Sequence, residues 1–201
     1  MARTIAKDHG EKRRLILKAA AKVFAREGIA RASMTEVAKT GGISKANIYH
    51  YYASKDALLF DILDAYLSSL RRRILELPLS GLDDTDKLLR ILEEFLLAYE
   101  GMDHEHKIQI EGLPLLPLNQ QEILKRYQRD MAGIVSDVLR DIVTEDISGN
   151  KRALRDVTMS IFGMLNWYYV WQPKADSTAR KAYAKTIANL VVFGTAGPKT
   201  L

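Results

Sequence analysis

Apolar residues recur at intervals of three and four along almost the whole chain, which is the spacing of one face of an α-helix. The stripe is clear at Ile16, Ala19, Ala20, Val23 and Phe24. No segment keeps the strict apolar–polar alternation of a half-buried strand. The pattern therefore predicts an all-α protein of about nine helices, in which a small N-terminal helical unit precedes a larger helical bundle.

Helix start and stop signals divide the first part of the chain finely. Ser33 and Glu36 have the spacing of a capping box, which begins a helix. Gly41-Gly42 ends that helix, and Ser44 is placed to cap the next one. Two short helices joined by a tight glycine turn form a helix-turn-helix, a unit that places its second helix in the major groove of DNA.

The second helix of this pair carries side chains that can reach DNA. Lys45 can donate to guanine O6 and N7, or it can bind a phosphate instead. Asn47 can bond adenine or the sugar-phosphate, and the small Ala46 permits close approach or contact with a thymine methyl group. Tyr49 is expected to bond a phosphate through its hydroxyl, with a purely core role as the alternative. His50 can reach a base or a phosphate.

Phosphate contacts are also expected at the starts of helices, where free main-chain N–H groups favour an anion. Thr35, Ser44 and Lys55 lie at such positions. Ser44 can cap its own helix as well, and a lysine without a partner is the alternative for Lys55. Basic residues ahead of the first helix either reach a minor groove or form a solvated tail; they are Arg3, Lys7, Lys12, Arg13 and Arg14.

Positive charge is concentrated around these helices. Residues 1–55 hold 12 Lys and Arg against 4 Asp and Glu, a balance of +8, whereas residues 56–201 hold 18 against 21, a balance of −3. A positive field beside a groove-reading helix is typical of phosphate binding. A solvated, lysine-rich surface is the alternative interpretation of the charge alone.

The C-terminal part contains an unusually aromatic segment, from Phe162 to Trp171, with Asn166 as its polar exception. Ligand sites are mostly apolar with a few placed polar groups, so this segment is predicted to line one. Core packing and a dimer seam are the alternatives. The candidate ligand-binding residues are Phe95, Tyr99, Met102, Met131, Val135, Met164, Trp167, Tyr168 and Trp171. The candidate dimer-interface residues, on the last two helices, are Ile161, Phe162, Leu165, Ile187, Leu190 and Val191.

The sequence lacks the motifs that are typical of several other classes of protein. There are no cysteines, which removes disulfides and thiolate zinc sites and favours a reducing cytoplasm. No apolar run reaches the roughly 18 residues of a membrane span, and the N-terminus has no apolar signal region. No phosphate loop, nucleophile elbow or dinucleotide fingerprint is present, so we expect neither an enzyme nor a cofactor. His104 and His106 offer only two metal ligands, so no metal site is predicted.

Motifs in about residues 11–67 resemble those of the TetR family of transcriptional regulators. They are Ala19…Phe24…Gly28, Val37-Ala38, Gly42-Ile43-Ser44, Ile48-Tyr49, Tyr52 and Ser54-Lys55…Leu58. Tyr51 departs from the pattern, since many members carry histidine there, but its hydroxyl can still face a phosphate. The resemblance implies a homodimer whose two recognition helices enter successive major grooves of a double-stranded DNA operator.

The expected organisation is a DNA-binding domain at residues 1–55 and an effector-binding and dimerisation domain at residues 56–201. Residues 163–168 are also similar to TetR-type regulators that respond to acyl-CoA thioesters. That resemblance implies an acyl-CoA or a related hydrophobic metabolite as the effector. The predicted function is therefore a ligand-controlled repressor, with a ligand-independent architectural DNA-binding protein and a small helical enzyme as alternatives.

Overall fold

The computed structural model describes residues 2–195, with side chains from residue 9 to residue 194. Over that range the chain forms ten α-helices, one short 3-10 turn and no strand, which confirms the all-α prediction. The helices are α1 (Ala2–Glu27), α2 (Met34–Gly41), α3 (Lys45–Tyr51), α4 (Lys55–Leu75), α5 (Asp84–Ala98), α6 (Asp103–Gly112), α7 (Leu118–Arg140), α8 (Glu145–Ser148), α9 (Lys151–Trp171) and α10 (Ser177–Thr195). Nine helices were expected, and the additional one is the four-residue α8. It lies directly before Gly149 and Asn150, where the sequence predicts a turn.

The first helix begins well ahead of the apolar stripe that predicts it. No proline lies in residues 1–27, so nothing in that segment breaks the helix as it continues toward the N-terminus. Lys12, Arg13 and Arg14 therefore lie on α1, which corrects their assignment to an arm that precedes it. The side chains of Arg3 and Lys7 lie outside the described residues.

The predicted caps form around the glycine turn. Ser33 Oγ accepts the main-chain N–H of Glu36 at 3.2 Å, and Ser44 Oγ accepts that of Asn47 at 3.1 Å. Gly42 has a φ of +63°, in the left-handed region. Glycine adopts this conformation without the clash that a Cβ would cause, so α2 ends here and the chain turns directly into α3.

The chain divides into two compact units. The first comprises Met1–Ser68 and His104–Lys125, and the second comprises Ser69–Asp103 and Arg126–Leu201. The first unit thus joins the N-terminal helices with α6, which lies far along the sequence. The units reflect packing alone, and the functional division between residues 55 and 56 stays a prediction.

Two polar contacts fasten α6 to the N-terminal helices of the first unit. The hydroxyl of Tyr66 on α4 and Nδ1 of His106 form a buried hydrogen bond of 2.9 Å. Lys107 Nζ donates to the carbonyl oxygen of Ala25 at 2.8 Å. Ala25 lies in the last turn of α1, where carbonyl groups have no partner within the helix. Lys107 therefore caps α1 from a distant part of the sequence.

In the second unit, α5, α9 and α10 pack around an apolar core. Its fully buried side chains include Leu88, Ile91, Leu92, Phe95, Ile161, Leu165 and Ile187. Arg180 on α10 is also buried, and it donates Nε to the Ala175 carbonyl and Nη1 to the Leu96 carbonyl, both at 3.1 Å. Leu96 lies in the last turn of α5, so the guanidinium group caps the negative end of that helix.

Candidate nucleic-acid interface

The third helix turns one apolar residue inward and its polar residues outward. Ile48 is fully buried and anchors the helix in the first unit. The other candidate side chains lie at the surface. Asn47 is partly buried, and the exposed ones are Lys45, Ala46, Tyr49 and His50. The side chains predicted to contact bases and phosphates thus share one accessible surface of α3, while their individual DNA contacts stay predictions.

Aromatic rings support this surface. Lys45 Nζ lies 5.9 Å from the centre of the Tyr49 ring, within the range of a cation–π contact. The Tyr51 ring meets the His50 ring edge-on, with centres 5.6 Å apart, and lies 4.5 Å from the centre of the His9 ring on α1. Tyr51 is thus half-buried between two imidazole rings, and a phosphate contact from its hydroxyl remains a prediction.

Thr35 and Ser44 lie at the starts of the two helices that flank the glycine turn. Thr35 is exposed in the first turn of α2. Ser44 is also exposed, and its oxygen accepts the Asn47 N–H as the cap of α3. Its hydroxyl hydrogen is still able to donate to a phosphate, because a serine hydroxyl both donates and accepts.

The ammonium group of Lys55 is hydrogen-bonded within the protein, and its predicted phosphate contact stays a prediction. Its Nζ donates to the carbonyl oxygens of Ile29, Ala30 and Ala32 at 2.8, 3.0 and 3.4 Å. These residues form the turn between α1 and α2. Carbonyl groups in such a turn lack helical partners, so the ammonium group satisfies them and holds the start of α4 against the turn.

A charged network that sequence reasoning missed joins three elements of the first unit. Asp61 on α4 accepts hydrogen bonds from the hydroxyl of Tyr52, just after α3, and from Arg13 on α1. Arg13 Nε lies 3.0 Å from Asp61 Oδ2, while Arg13 Nη2 binds Oδ1. Burial, and then the Asp61 hydrogen bond, raise the pKa of Tyr52. The hydrogen bond to Asp61 is the main cause that raises the pKa of Arg13.

Part of the predicted effector site comes together between α5 and α9 in the second unit. The Tyr99 hydroxyl donates to Asn166 Oδ1 at 3.0 Å. The Phe95 ring contacts the rings of Tyr99 and Phe162, with centres 6.2 and 5.4 Å apart. Burial raises the pKa of Tyr99. Among the other candidates, Val135 and Met131 are buried, and the partly buried ones are Met102 and Met164.

A second aromatic cluster lies between α9 and α10. The rings of Tyr168 and Tyr183 stack with centres 4.4 Å apart, and Trp171 meets both edge-on. The Arg180 guanidinium lies 5.9 Å from the Tyr168 ring centre. Trp171 and Trp167 are 50% and 60% exposed, so neither lines an interior site as predicted. Helical spacing shows that these two tryptophans share a face, but it does not show that the face points to solvent.

Most of the predicted dimer-interface residues lie inside a single chain, which corrects that assignment. The buried ones are Ile161, Leu165, Ile187 and Val191. Phe162 is partly buried and packs against Phe95, whereas Leu190 is exposed. Buried core residues are unavailable to a partner chain. The large apolar side chains that α9 and α10 do expose are Met159, Trp167, Val170, Trp171, Leu190 and Phe193.

Two family models match the chain, one in its N-terminal part and one in its C-terminal part. The model described as bacterial regulatory proteins, tetR family, matches residues 16–62. The model for the tetracyclin repressor-like C-terminal domain matches residues 81–195, which is more than half of the sequence. The chain belongs to the TetR family of transcriptional regulators. Its α2–α3 pair is the DNA-binding helix-turn-helix of that family.

Relatives of known structure and curated relatives agree with this membership. A TetR-family regulator from Bordetella parapertussis is 30% identical, with a TM-score of 0.83 over 94% of this chain and 98% of that one. The repressor KstR2 of Rhodococcus jostii is 24% identical over 91% of this chain and 90% of its own length. FadR of Bacillus subtilis, solved with stearoyl-CoA, shares the fold with a TM-score of 0.67, at 18% identity over 90% of this chain and 97% of that one.

Within residues 2–195, no helix has the length and apolar composition needed to cross a membrane. Among the side chains that the structure describes, no three His, Asp or Glu residues are grouped as a metal ion would require. The two histidines weighed as metal ligands do not lie together in a site: His106 is hydrogen-bonded to Tyr66, and His104 is exposed.

Proposed function

We propose that this TetR-family regulator is a cytoplasmic, ligand-controlled repressor that binds a double-stranded DNA operator as a homodimer. The observation that carries the proposal is the surface of α3, where Lys45, Tyr49 and His50 face solvent around the buried anchor Ile48. A short helix held from one side and exposing hydrogen-bonding groups on the other is suited to a major groove. The +8 charge of residues 1–55 supplies the attraction to phosphates. The similarity to the repressor KstR2 of Rhodococcus jostii favours repression of transcription over activation.

We infer that the exposed apolar residues of α9 and α10 form the dimer surface. Monomeric proteins rarely expose large contiguous apolar patches, so several such side chains on two packed helices mark an interaction site. In a dimer with twofold symmetry, the same face of each chain meets itself. The two α3 helices must then lie roughly 34–36 Å apart to enter successive major grooves.

The proposed effector is an acyl-CoA or a related hydrophobic metabolite that binds beside the Tyr99–Asn166 pair. This pair places polar groups next to the rings of Phe95 and Phe162, the combination of apolar walls and a few polar anchors that ligand sites use. The stearoyl-CoA complex of the Bacillus subtilis FadR is a precedent for such a ligand in this fold. Residues 163–168 add the sequence resemblance to acyl-CoA-responsive regulators.

Substitutions on α3 test the DNA-reading surface. Lys45→Ala and Asn47→Ala should each reduce the discrimination between operator and unrelated DNA by about 1–3 kcal/mol, the usual weight of a base contact. The operator is selected from a random DNA library with the wild-type protein, and affinities are measured by fluorescence anisotropy at one salt concentration. Lys151→Ala, at the exposed start of α9, is the control. Unchanged sequence preference in both α3 variants would contradict the base-reading assignment.

A titration with acyl-CoAs of increasing chain length tests the effector. The compound should weaken operator binding, and operator should weaken binding of the compound by the same factor. Asn166→Leu should reduce the response to the effector by about tenfold, as expected when a partly buried polar anchor is lost, and leave operator affinity without effector unchanged. Ser160→Ala, exposed on α9, is the control. Operator affinity that no acyl-CoA changes would reject acyl-CoA as the effector.

A further inference from the structure

Three helices of the first unit meet at a single carboxylate. The two oxygens of Asp61 on α4 accept hydrogen bonds from Tyr52 and from two nitrogens of Arg13. Tyr52 is buried, and the side chain of Asp61 is only 18% exposed. The carboxylate therefore accepts from three protein donors, and the charge of Arg13, whose side chain is 43% exposed, is paired with it.

The position of Tyr52 connects this network to DNA recognition. Tyr52 caps the C-terminal end of α3, and its main-chain N–H donates to the Ile48 carbonyl at 2.9 Å. With seven residues, α3 is about 10 Å long, and a helix this short depends on tertiary contacts for its stability. Ile48 holds α3 by apolar packing, which has no direction. The Tyr52–Asp61 hydrogen bond is directional and lies at the C-terminal end of α3.

We propose that Asp61 is a positioning residue for operator recognition, which holds Tyr52 together with Arg13 and thereby sets the orientation of α3 in the major groove. The inference rests on the proposed binding of operator by α3. Base contacts require donor–acceptor distances of roughly 2.7–3.2 Å. A tilt of about 10° moves the far end of a helix about 10 Å long by about 2 Å, which is enough to break such contacts. Loss of the network thus weakens operator binding although its side chains read no base.

A different consequence follows if Asp61 only neutralises Arg13. Asp61→Asn would then release a cation beside the DNA-binding helix. Binding to every DNA sequence would strengthen, and its salt dependence would steepen by about 0.9 for each new phosphate contact. The two roles therefore predict changes of opposite sign in the same variant.

The experiment compares Tyr52→Phe and Asp61→Asn with the wild type on selected operator and on random-sequence DNA over a range of salt concentrations. We expect about a tenfold loss of operator affinity, about twofold or less change on random DNA, and an unchanged salt slope, because base contacts and not phosphate contacts are lost. Tyr52→Phe keeps the buried ring and is the variant that preserves the fold. Tyr183→Phe, which removes a tyrosine hydroxyl bonded to a main-chain carbonyl in the second unit, is the matched control.

Other results would overturn the inference. Tighter binding with a steeper slope in Asp61→Asn would show simple neutralisation. A slope flatter by about 0.9 in Arg13→Ala would show that Arg13 touches a phosphate itself. Lower stability in urea with unchanged affinity of the folded protein would show a purely structural role.

Hydrogen exchange in the DNA-free protein separates this inference from the proposed function. Tyr52→Phe should speed amide exchange in α3 and leave α5 unchanged, since only the end of α3 loses a restraint. If the wild-type protein binds selected operator and random DNA equally well, the proposed function is rejected, whatever the hydrogen exchange shows. Unchanged α3 exchange together with unchanged operator preference in the variant would reject the positioning role alone.

Discussion

The ammonium group of Lys55 has three carbonyl partners in the turn between α1 and α2. Hydrogen bonds from a charged donor contribute more than neutral ones, about 1.5–3 kcal/mol. Each carbonyl would otherwise lack a partner within a helix. At the scale of single residues, Lys55 is therefore part of the framework that supports the helix-turn-helix, and its phosphate contact stays a prediction.

Replacement of this lysine separates the two roles. Lys55→Met keeps the aliphatic stem and should lower the free energy of unfolding by about 1–3 kcal/mol, since the carbonyls lose their donor. Urea denaturation measures the change, and Lys39→Met, on the exposed face of α2, should stay within about 0.5 kcal/mol of wild type. Unchanged stability together with a flatter salt dependence of DNA binding would identify Lys55 as a phosphate contact.

At the scale of elements, the turn between α2 and α3 depends on one backbone conformation. Gly42 takes a φ of +63° at the end of α2, and an added Cβ would meet no other atom within 4 Å. Glycine is therefore required at position 42 because of the positive φ angle, and not because neighbouring atoms would crowd a side chain. Gly133, inside α7, also has open space around it but no positive φ, so it is a matched comparison.

The two glycines should respond in opposite directions to the same change. Gly42→Ala should lower the free energy of unfolding by about 1–2 kcal/mol, the cost of a left-handed alanine. Gly133→Ala should raise it by about 0.5–1 kcal/mol, because alanine favours a helix interior. Thermal or urea unfolding of both variants measures this. Equal effects of the two substitutions would show that the φ of Gly42 does not limit the turn.

At the scale of the whole molecule, the proposed operator binding requires a second copy of the chain. A single seven-residue recognition helix reads few bases, whereas two helices in successive grooves double the contacts. The exposed apolar side chains of α9 and α10 form the surface proposed for such pairing. The distribution of charge fits DNA binding by the N-terminal part and pairing by the C-terminal part, since residues 1–55 carry +8 and the rest of the chain carries −3.

Charges placed on the apolar surface should produce a monomer. Leu190→Glu combined with Phe193→Glu puts like charges opposite each other in a symmetric interface, because each residue meets the same face of the partner. Light scattering after size exclusion should report the mass of one chain, and operator affinity should fall by about 100-fold or more as bivalent binding is lost. Leu118→Glu, at an exposed apolar position on α7, is the control. A variant that stays dimeric would place the interface elsewhere.

The local features of this protein were predictable from its sequence. The caps at Ser33 and Ser44 and the break at Gly42 each depend on residues within a few positions of one another. The early start of α1 and the four-residue α8 were not predicted, but the helical type of the elements follows from the same short-range rules, as does the set of polar side chains on α3. Such features need no knowledge of distant contacts, because backbone sterics and hydrogen bonding to neighbouring residues decide them.

Tertiary structure alone decided which partner each side chain meets. Helical spacing shows that Trp167 and Trp171 share a face, but only the packing of α9 shows that this face is exposed. Arg13 and Asp61 are 48 positions apart, and no periodicity relates them. The sequence by itself determined the helices and the glycine turn, since these are local. The buried faces, the occupied ammonium of Lys55 and the Asp61 network arose only when distant helices packed, because burial and pairing depend on what lies opposite in space.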